Sequence, residues 1–179
     1  QVLASAAGAR ALNLGGADPE DPQFGLAPTY APVRDVRVVR DGEVVNLGGV
    51  GMTAHYTPGH TPGSTSWTWR SCEGDTCLNV VYADSLTAYS NKTFRYTDDA
   101  KHPHRVEDFR KSIATVAALP CDILLTPHPD QSNFWDKVQR RQAGAHPDPL
   151  IDTGACKAYA ADAEKTLDDR LAKEKAGQL

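Results

Sequence analysis

The sequence predicts an α/β fold, and three observations carry that prediction. Short alternating or continuous apolar runs mark strands, and Val106, Phe109, Ile113, Val116 and Ala117 recur at helical spacing. Several strands also run directly into loops of proline and glycine, the usual home of functional groups on a rigid sheet. With 179 residues, 40% of them hydrophobic, the chain can fill one core and is too short for two comfortable domains.

Val2–Ala4 reads as the end of a strand. Ser5 is placed to cap a short helix from Ala6 to Leu14, which Gly15-Gly16 ends. Residues 17–33 contain Pro19, Pro22, Pro28 and Pro32, and a stretch this long without periodicity is expected to be a functional lid or disordered. Val36–Val39 and Val44–Leu47 flank Asp41-Gly42, which predicts a hairpin between them. Met52–Tyr56 is a further strand, leading into Thr57-Pro58-Gly59-His60-Thr61-Pro62-Gly63. Trp67-Thr68-Trp69 and Val80–Ala83 alternate as paired strands do. The helix around Phe109 has Glu107 and Asp108 near its start, where acidic groups complement the helix dipole. Cys121–Leu125 reads as a buried strand ending at Thr126-Pro127-His128-Pro129. Ser132 or Asn133 is expected to cap a helix through about Gln142. A last helix runs from about Thr153 to Lys173, charged on its outer face and fraying beyond Lys175.

The formal net charge is −4. No basic stripe exists, and the longest cationic cluster is the pair Arg140-Arg141, so nucleic acid is not an expected partner. Nor is a membrane, since no run approaches the roughly 18 apolar residues of a span. The four cysteines include no Cys-x-x-Cys pair, which favours two disulfides over a thiolate metal site. Cys72–Cys77 would close a tight hairpin turn, and Cys121–Cys156 would tie a strand start to the last helix. Four free, buried thiols in a cytosolic protein are the alternative. If the bonds form, the compartment is oxidising, either periplasmic or extracellular. Gln1-Val2-Leu3-Ala4 shows no signal peptide, and the chain reads as though it starts inside a strand.

Two histidines stand out by setting. His60 follows a strand within a Pro/Gly loop that leaves its imidazole uncovered, and His128 follows an apolar strand between Pro127 and Pro129. Metal ligands belong at such rigid strand ends, because a zinc site tolerates only small positional errors. A single loop histidine is more often unliganded, and the pair raises the odds without settling them. His55 is expected to be half-buried along its strand, and His102, His104 and His146 to be solvated.

The run His55-Tyr56-Thr57-Pro58-Gly59-His60-Thr61-Pro62-Gly63-Ser64-Thr65-Ser66-Trp67-Thr68-Trp69 resembles the metallo-β-lactamases, specifically their third, dizinc subclass. The resemblance continues through Tyr82-Ala83-Asp84-Ser85-Leu86-Thr87-Ala88, Leu119–Pro129 and Cys156-Lys157-Ala158-Tyr159-Ala160, in family order over nearly the whole chain. It implies that residues 1–179 form the C-terminal part of the αβ/βα sandwich of one such domain. It further implies that His60 is the third histidine of a tri-histidine zinc site, and His128 the distal histidine of a second. Ser85 and Thr87 match positions that hold the antibiotic's carboxylate, although a strand-end turn with local hydroxyl bonds is the plainer reading. Gln23, Phe24 and Tyr30 would wall the substrate cleft, with a plain surface loop the alternative. Asp84 matches a position that bridges two metals in related thioesterases, and the resemblance implies that here it lies behind the ligands.

One departure is severe: the family signature His-x-His-x-Asp-His is absent from this sequence. The chain alone is therefore expected to be close to inactive, and a separate N-terminal segment is a possible partner. In the complete enzyme the resemblance implies two Zn²⁺ ions that activate water against a β-lactam, conferring antibiotic resistance. No serine sits in a Gly-x-Ser-x-Gly or Ser-x-x-Lys context, so covalent serine catalysis has no support. The rival readings are a glyoxalase-II-like thioesterase of the same fold and a non-catalytic fragment.

Overall fold

The computed structural model describes residues 1–178. β1 (Val2–Ala4) leads through the Ser5 cap, whose Oγ accepts from Gly8 N at 3.1 Å, into α1 (Ala6–Asn13). β2 (Val36–Val38) then pairs in parallel with β1. A second sheet holds β3 (Val44–Leu47), β4 (Val50–Tyr56), β5 (Thr65–Glu73), β6 (Thr76–Tyr82) and β7 (Ile123–Leu125), in that spatial order. Between β6 and β7 the chain crosses over through α2 (Arg105–Ala118). A short 3-10 turn (Pro129–Ser132), α3 (Phe134–Gln142) and α4 (Ala155–Lys175) complete the chain.

The predicted hairpin across Asp41-Gly42 does not form. Arg40–Glu43 is a turn, with Glu43 N donating to Arg40 O at 3.1 Å, but it carries the chain from one sheet to the other. The true hairpin joins β3 to β4 across Gly48-Gly49, whose φ values of 56° and 85° supply the two left-handed residues a two-residue turn requires.

Phe109, Ile113 and Val116 form the buried stripe of α2, and Ala160, Ala163, Leu167 and Leu171 that of α4. These stripes share one core with Val81 and Leu124 of the sheet and with Leu86, Phe94 and Tyr96 of the β6–α2 connection. Arg110, at the rim of this packing, bridges to Glu164 and, at 2.7 Å, to Asp168. Both expected disulfides are present: Cys72 and Cys77 face each other across β5–β6, and Cys121–Cys156 joins the approach to β7 to α4.

Two smaller expectations, on His102 and on the start of the last strand, are corrected. His102 is not solvated: its ring stacks on Phe94 with centroids 4.2 Å apart, and its Nδ1 is buried without a partner. Of the two cap candidates for α3, Asn133 occupies the cap position in the left-handed conformation, and the Ser132 hydroxyl is engaged with Thr126 Oγ1 (3.0 Å) and Pro129 O (3.2 Å). The last strand starts at Ile123, since Asp122 turns its carboxylate to Asn79 N (2.7 Å) and Nδ2 (2.9 Å). The last helix, α4, ends at Lys175, as the sequence predicts. Gly177 N donates to Glu174 O and Gln178 N to Lys173 O, the paired bonds of a glycine-terminated helix end.

Candidate active site

β5 is antiparallel to both β4 and β6, and β7 is parallel to β6. Strands β4, β6 and β7 therefore all end at the same edge of the sheet. The loops leaving that edge carry His60, the Asp84–Thr87 run and His128 respectively.

The His60 loop is clamped between two helices. From α2, Ser112 Oγ donates to Pro58 O at 2.6 Å, and Gly59 lies so close to Phe109 that a Cβ would sit 2.6 Å from the ring. From the other side, Ser5 Oγ donates to Gly63 O at 2.9 Å, and a Cβ on Gly63 would come within 2.4 Å of Gly8 N. Only glycine permits these approaches. Half-buried on this frame, His60 places Nδ1 2.7 Å from Thr87 O. A carbonyl can only accept, so the proton resides on Nδ1 and Nε2 carries the lone pair. That is the tautomer, and the backbone restraint, of an imidazole that ligates a metal through Nε2. Gln23 Nε2 donates to this unprotonated nitrogen at 3.1 Å.

In the second loop, the Asp84 carboxylate accepts from Ser85 N at 2.8 Å and Thr65 N at 3.3 Å. Ser85 is 2% exposed, and its Oγ accepts from Thr87 N at 3.3 Å, so its hydroxyl serves the local turn. Thr87 is partly exposed and its Oγ1 accepts from Gln131 Nε2 at 2.9 Å. Buried Tyr159 of α4 stands behind both residues: its hydroxyl accepts from Leu86 N at 3.0 Å and lies 3.2 Å from Asp84 O and 3.3 Å from Gln131 Oε1. In the third loop His128 is exposed, with its backbone fixed by Thr126 Oγ1 and Gln131 N on its carbonyl at 2.8 and 2.9 Å.

Residues 17–33 are ordered against this site. Asn91 N donates to Pro22 O at 2.7 Å and Asn91 Nδ2 to Phe24 O at 3.0 Å, tying the segment to the β6–α2 connection. Phe24 and Tyr30 are 45% and 47% exposed. Tyr30 lies over Gly16 and, with Pro62 and Asp84, lines a cavity of about 310 Å³. Of the other histidines, His55 bonds Thr68 Oγ1 at 2.8 Å, and its pKa is lowered by burial against the opposing pull of Asp41. His104 and His146 are exposed. Among the described residues no group of three or more His, Cys, Asp or Glu side chains is gathered to hold a metal ion. The donor chemistry of His60 fits a zinc ligand, but the described residues do not gather a complete set around it.

No protein-family model matches the chain. Solved structures do. MEM-A1, a subclass B3 metallo-β-lactamase from a soil metagenome library, is 47% identical with a TM-score of 0.93, over 99% of this chain and 67% of its own. Rm3 metallo-β-lactamase is 45% identical with a TM-score of 0.92, over 97% of this chain and 64% of its own. SMB-1 metallo-β-lactamase, in a structure bound to 2-mercaptoethanesulfonate, is 42% identical with a TM-score of 0.90, over 97% of this chain and 66% of its own. The chain belongs to the subclass B3 metallo-β-lactamases. This metallo-β-lactamase chain spans about two thirds of the length of those structures.

Sequence reasoning missed Gln131, Tyr159 and Asn91 as parts of the site. Tyr159 stands one helical turn beyond Cys156, so a disulfide that buries Cys156 also turns Tyr159 inward, a signal that was readable. The Gln131–Thr87 and Asn91–Pro22 bonds span 44 and 69 residues and leave no local trace.

Proposed function

We propose that this chain is the C-terminal portion of a single metallo-β-lactamase domain whose complete form hydrolyses the amide bond of β-lactam antibiotics in a zinc-dependent reaction. The observation that supports this reading best is the Nδ1–Thr87 O bond, which leaves the unprotonated Nε2 of His60 as the potential ligand in a loop at the sheet edge shared with Thr87 and the His128 loop. In this reading His60 and His128 each contribute one ligand to a different zinc ion. When bound, zinc supplies Lewis acidity for the lactam carbonyl and activates water at neutral pH. The chain's own residues orient the partners: Thr87 O holds the His60 tautomer, Thr87 Oγ1 offers a hydroxyl to the substrate carboxylate, and Gln23, Phe24 and Tyr30 flank the cleft. Ser85 supports Thr87 from beneath.

A thioesterase role is less well supported, because both oxygens of Asp84 face backbone N–H donors. The two disulfides favour an oxidising location, periplasmic or extracellular, and no helix among the described residues is long and apolar enough to cross a membrane.

Nitrocefin and a glutathione thioester, offered to the zinc-loaded full-length protein, separate the readings. Nitrocefin turnover abolished by chelation is expected, and turnover of the thioester alone would overturn the assignment. By calorimetry the 179-residue chain should bind zinc far more weakly than the full-length protein, since a lone ligand forfeits most of the coordination energy. Chelator-sensitive nitrocefin turnover by the 179-residue chain would show that other residues complete the site.

A further inference from the structure

We propose that Gln131 is a positioning residue that fixes the direction of the Thr87 hydroxyl proton, and so tunes affinity for the substrate's carboxylate. The inference rests on the reading of Thr87 as the carboxylate contact. A threonine hydroxyl has one proton and can donate in one direction at a time. Gln131 Nε2 donates to Thr87 Oγ1 at 2.9 Å, which occupies a lone pair on the side of the 3-10 turn and leaves the proton free to point into the cleft. The amide faces Tyr159 with its oxygen, Oε1 lying 3.3 Å from the phenol hydroxyl. That hydroxyl accepts from Leu86 N at 3.0 Å, and its one proton is shared between Gln131 Oε1 and Asp84 O, 3.2 Å away.

The phenol can sustain this role across the working pH range. Burial, only partly opposed by the Leu86 N–H, pushes its pKa up to about 12, so it remains a neutral donor. Gln131 also donates its backbone N–H to the carbonyl of His128 at 2.9 Å. One residue thereby joins the two loops, with its backbone on the His128 side and its side chain on Thr87. The cavity behind it, about 280 Å³ and bounded by Leu86, Thr87, Asp130 and Tyr159, leaves the side chain room to change rotamer once the bond is lost.

The relay predicts how charge at position 131 acts. A carboxylate there would accept the Thr87 proton and turn it away from the cleft. The test uses the zinc-loaded full-length enzyme with Gln131→Glu, Gln131→Met and Thr87→Val, and steady-state kinetics on a carboxylate-bearing cephalosporin and its methyl ester. Gln131→Glu should raise KM for the acid about tenfold, the equivalent of one charge-assisted hydrogen bond, with kcat within about twofold. Gln131→Met should raise it by a smaller factor, and the KM of the ester should change by less than about twofold in both variants. Zinc content and thermal midpoint report whether each variant is intact. If Thr87→Val raises KM for the acid while neither Gln131 variant does, the relay is wrong and the Thr87 assignment stands. If Thr87→Val leaves KM for the acid unchanged, the carboxylate reading fails and takes the relay with it. Equal losses on acid and ester would overturn the relay by showing a merely structural role.

Discussion

The carboxylate of Glu174, buried in the last turn of α4, accepts from Thr97 N at 2.9 Å, Tyr96 N at 3.1 Å and Arg170 Nε at 2.7 Å. Burial alone would raise its pKa, but the bonds from Thr97, Arg170 and Tyr96 outweigh it and hold the group below the usual glutamate value. A carboxylate depressed in the folded state stabilises fully above its unfolded pKa, and that contribution is lost as pH falls through the folded value. Glu174→Gln should therefore cost about 2 kcal/mol at neutral pH, since charge-assisted bonds become neutral ones. It should also make stability fall less steeply on acidification below about pH 4.5. Urea denaturation at a series of pH values checks both, and an unchanged acid slope would rule out the depression.

The cysteine pairs connect elements of different rank. Cys72 and Cys77 are 5 residues apart at the end of the β5–β6 ribbon, whereas Cys121 and Cys156 close a separation of 35 residues and pin α4 beside β7. Loop entropy then assigns about 4 kcal/mol to the longer closure and about 2 kcal/mol to the shorter. Replacing Cys121 and Cys156 by alanine should lower the urea midpoint clearly more than replacing Cys72 and Cys77; the reverse order would contradict the loop-length argument. Both pairings match the sequence expectation, Cys72–Cys77 as the close pair across a turn and Cys121–Cys156 as the pair that remains, and α2 and α4 were legible because a period of three to four residues is a local signal. The β2–β3 hairpin was misread because Asp41-Gly42 and Gly48-Gly49 both look like hairpin turns, and only the partner strands decide between them. In the site, His60 and His128 were legible as loop histidines on strand ends. Ser85 was legible only as a hydroxyl at the right place, and its burial under the turn comes from packing that no local pattern encodes.

Across the whole molecule, α4 acts on the cleft through a series of contacts. Arg170 bonds Ser90 Oγ at 2.6 Å and Phe94 O at 3.2 Å, and Glu174 caps Tyr96 and Thr97. The same connection then holds Pro22 and Phe24 through Asn91. Truncating the chain after Asp169 should leave the sheet folded and free the connection. Amide exchange at Tyr96 and Thr97 should accelerate by at least about a hundredfold, as expected when a buried, charge-capped segment opens locally. Unchanged protection there would show that the core aromatics alone hold the segment. The disulfides have a further consequence for biogenesis. Among these residues Cys72 is bonded to Cys77 and Cys121 to Cys156, so the two loops neither overlap nor enclose one another. For these four thiols, an oxidant that joined them in the order of synthesis would arrive at the observed pairing directly, without reshuffling among them.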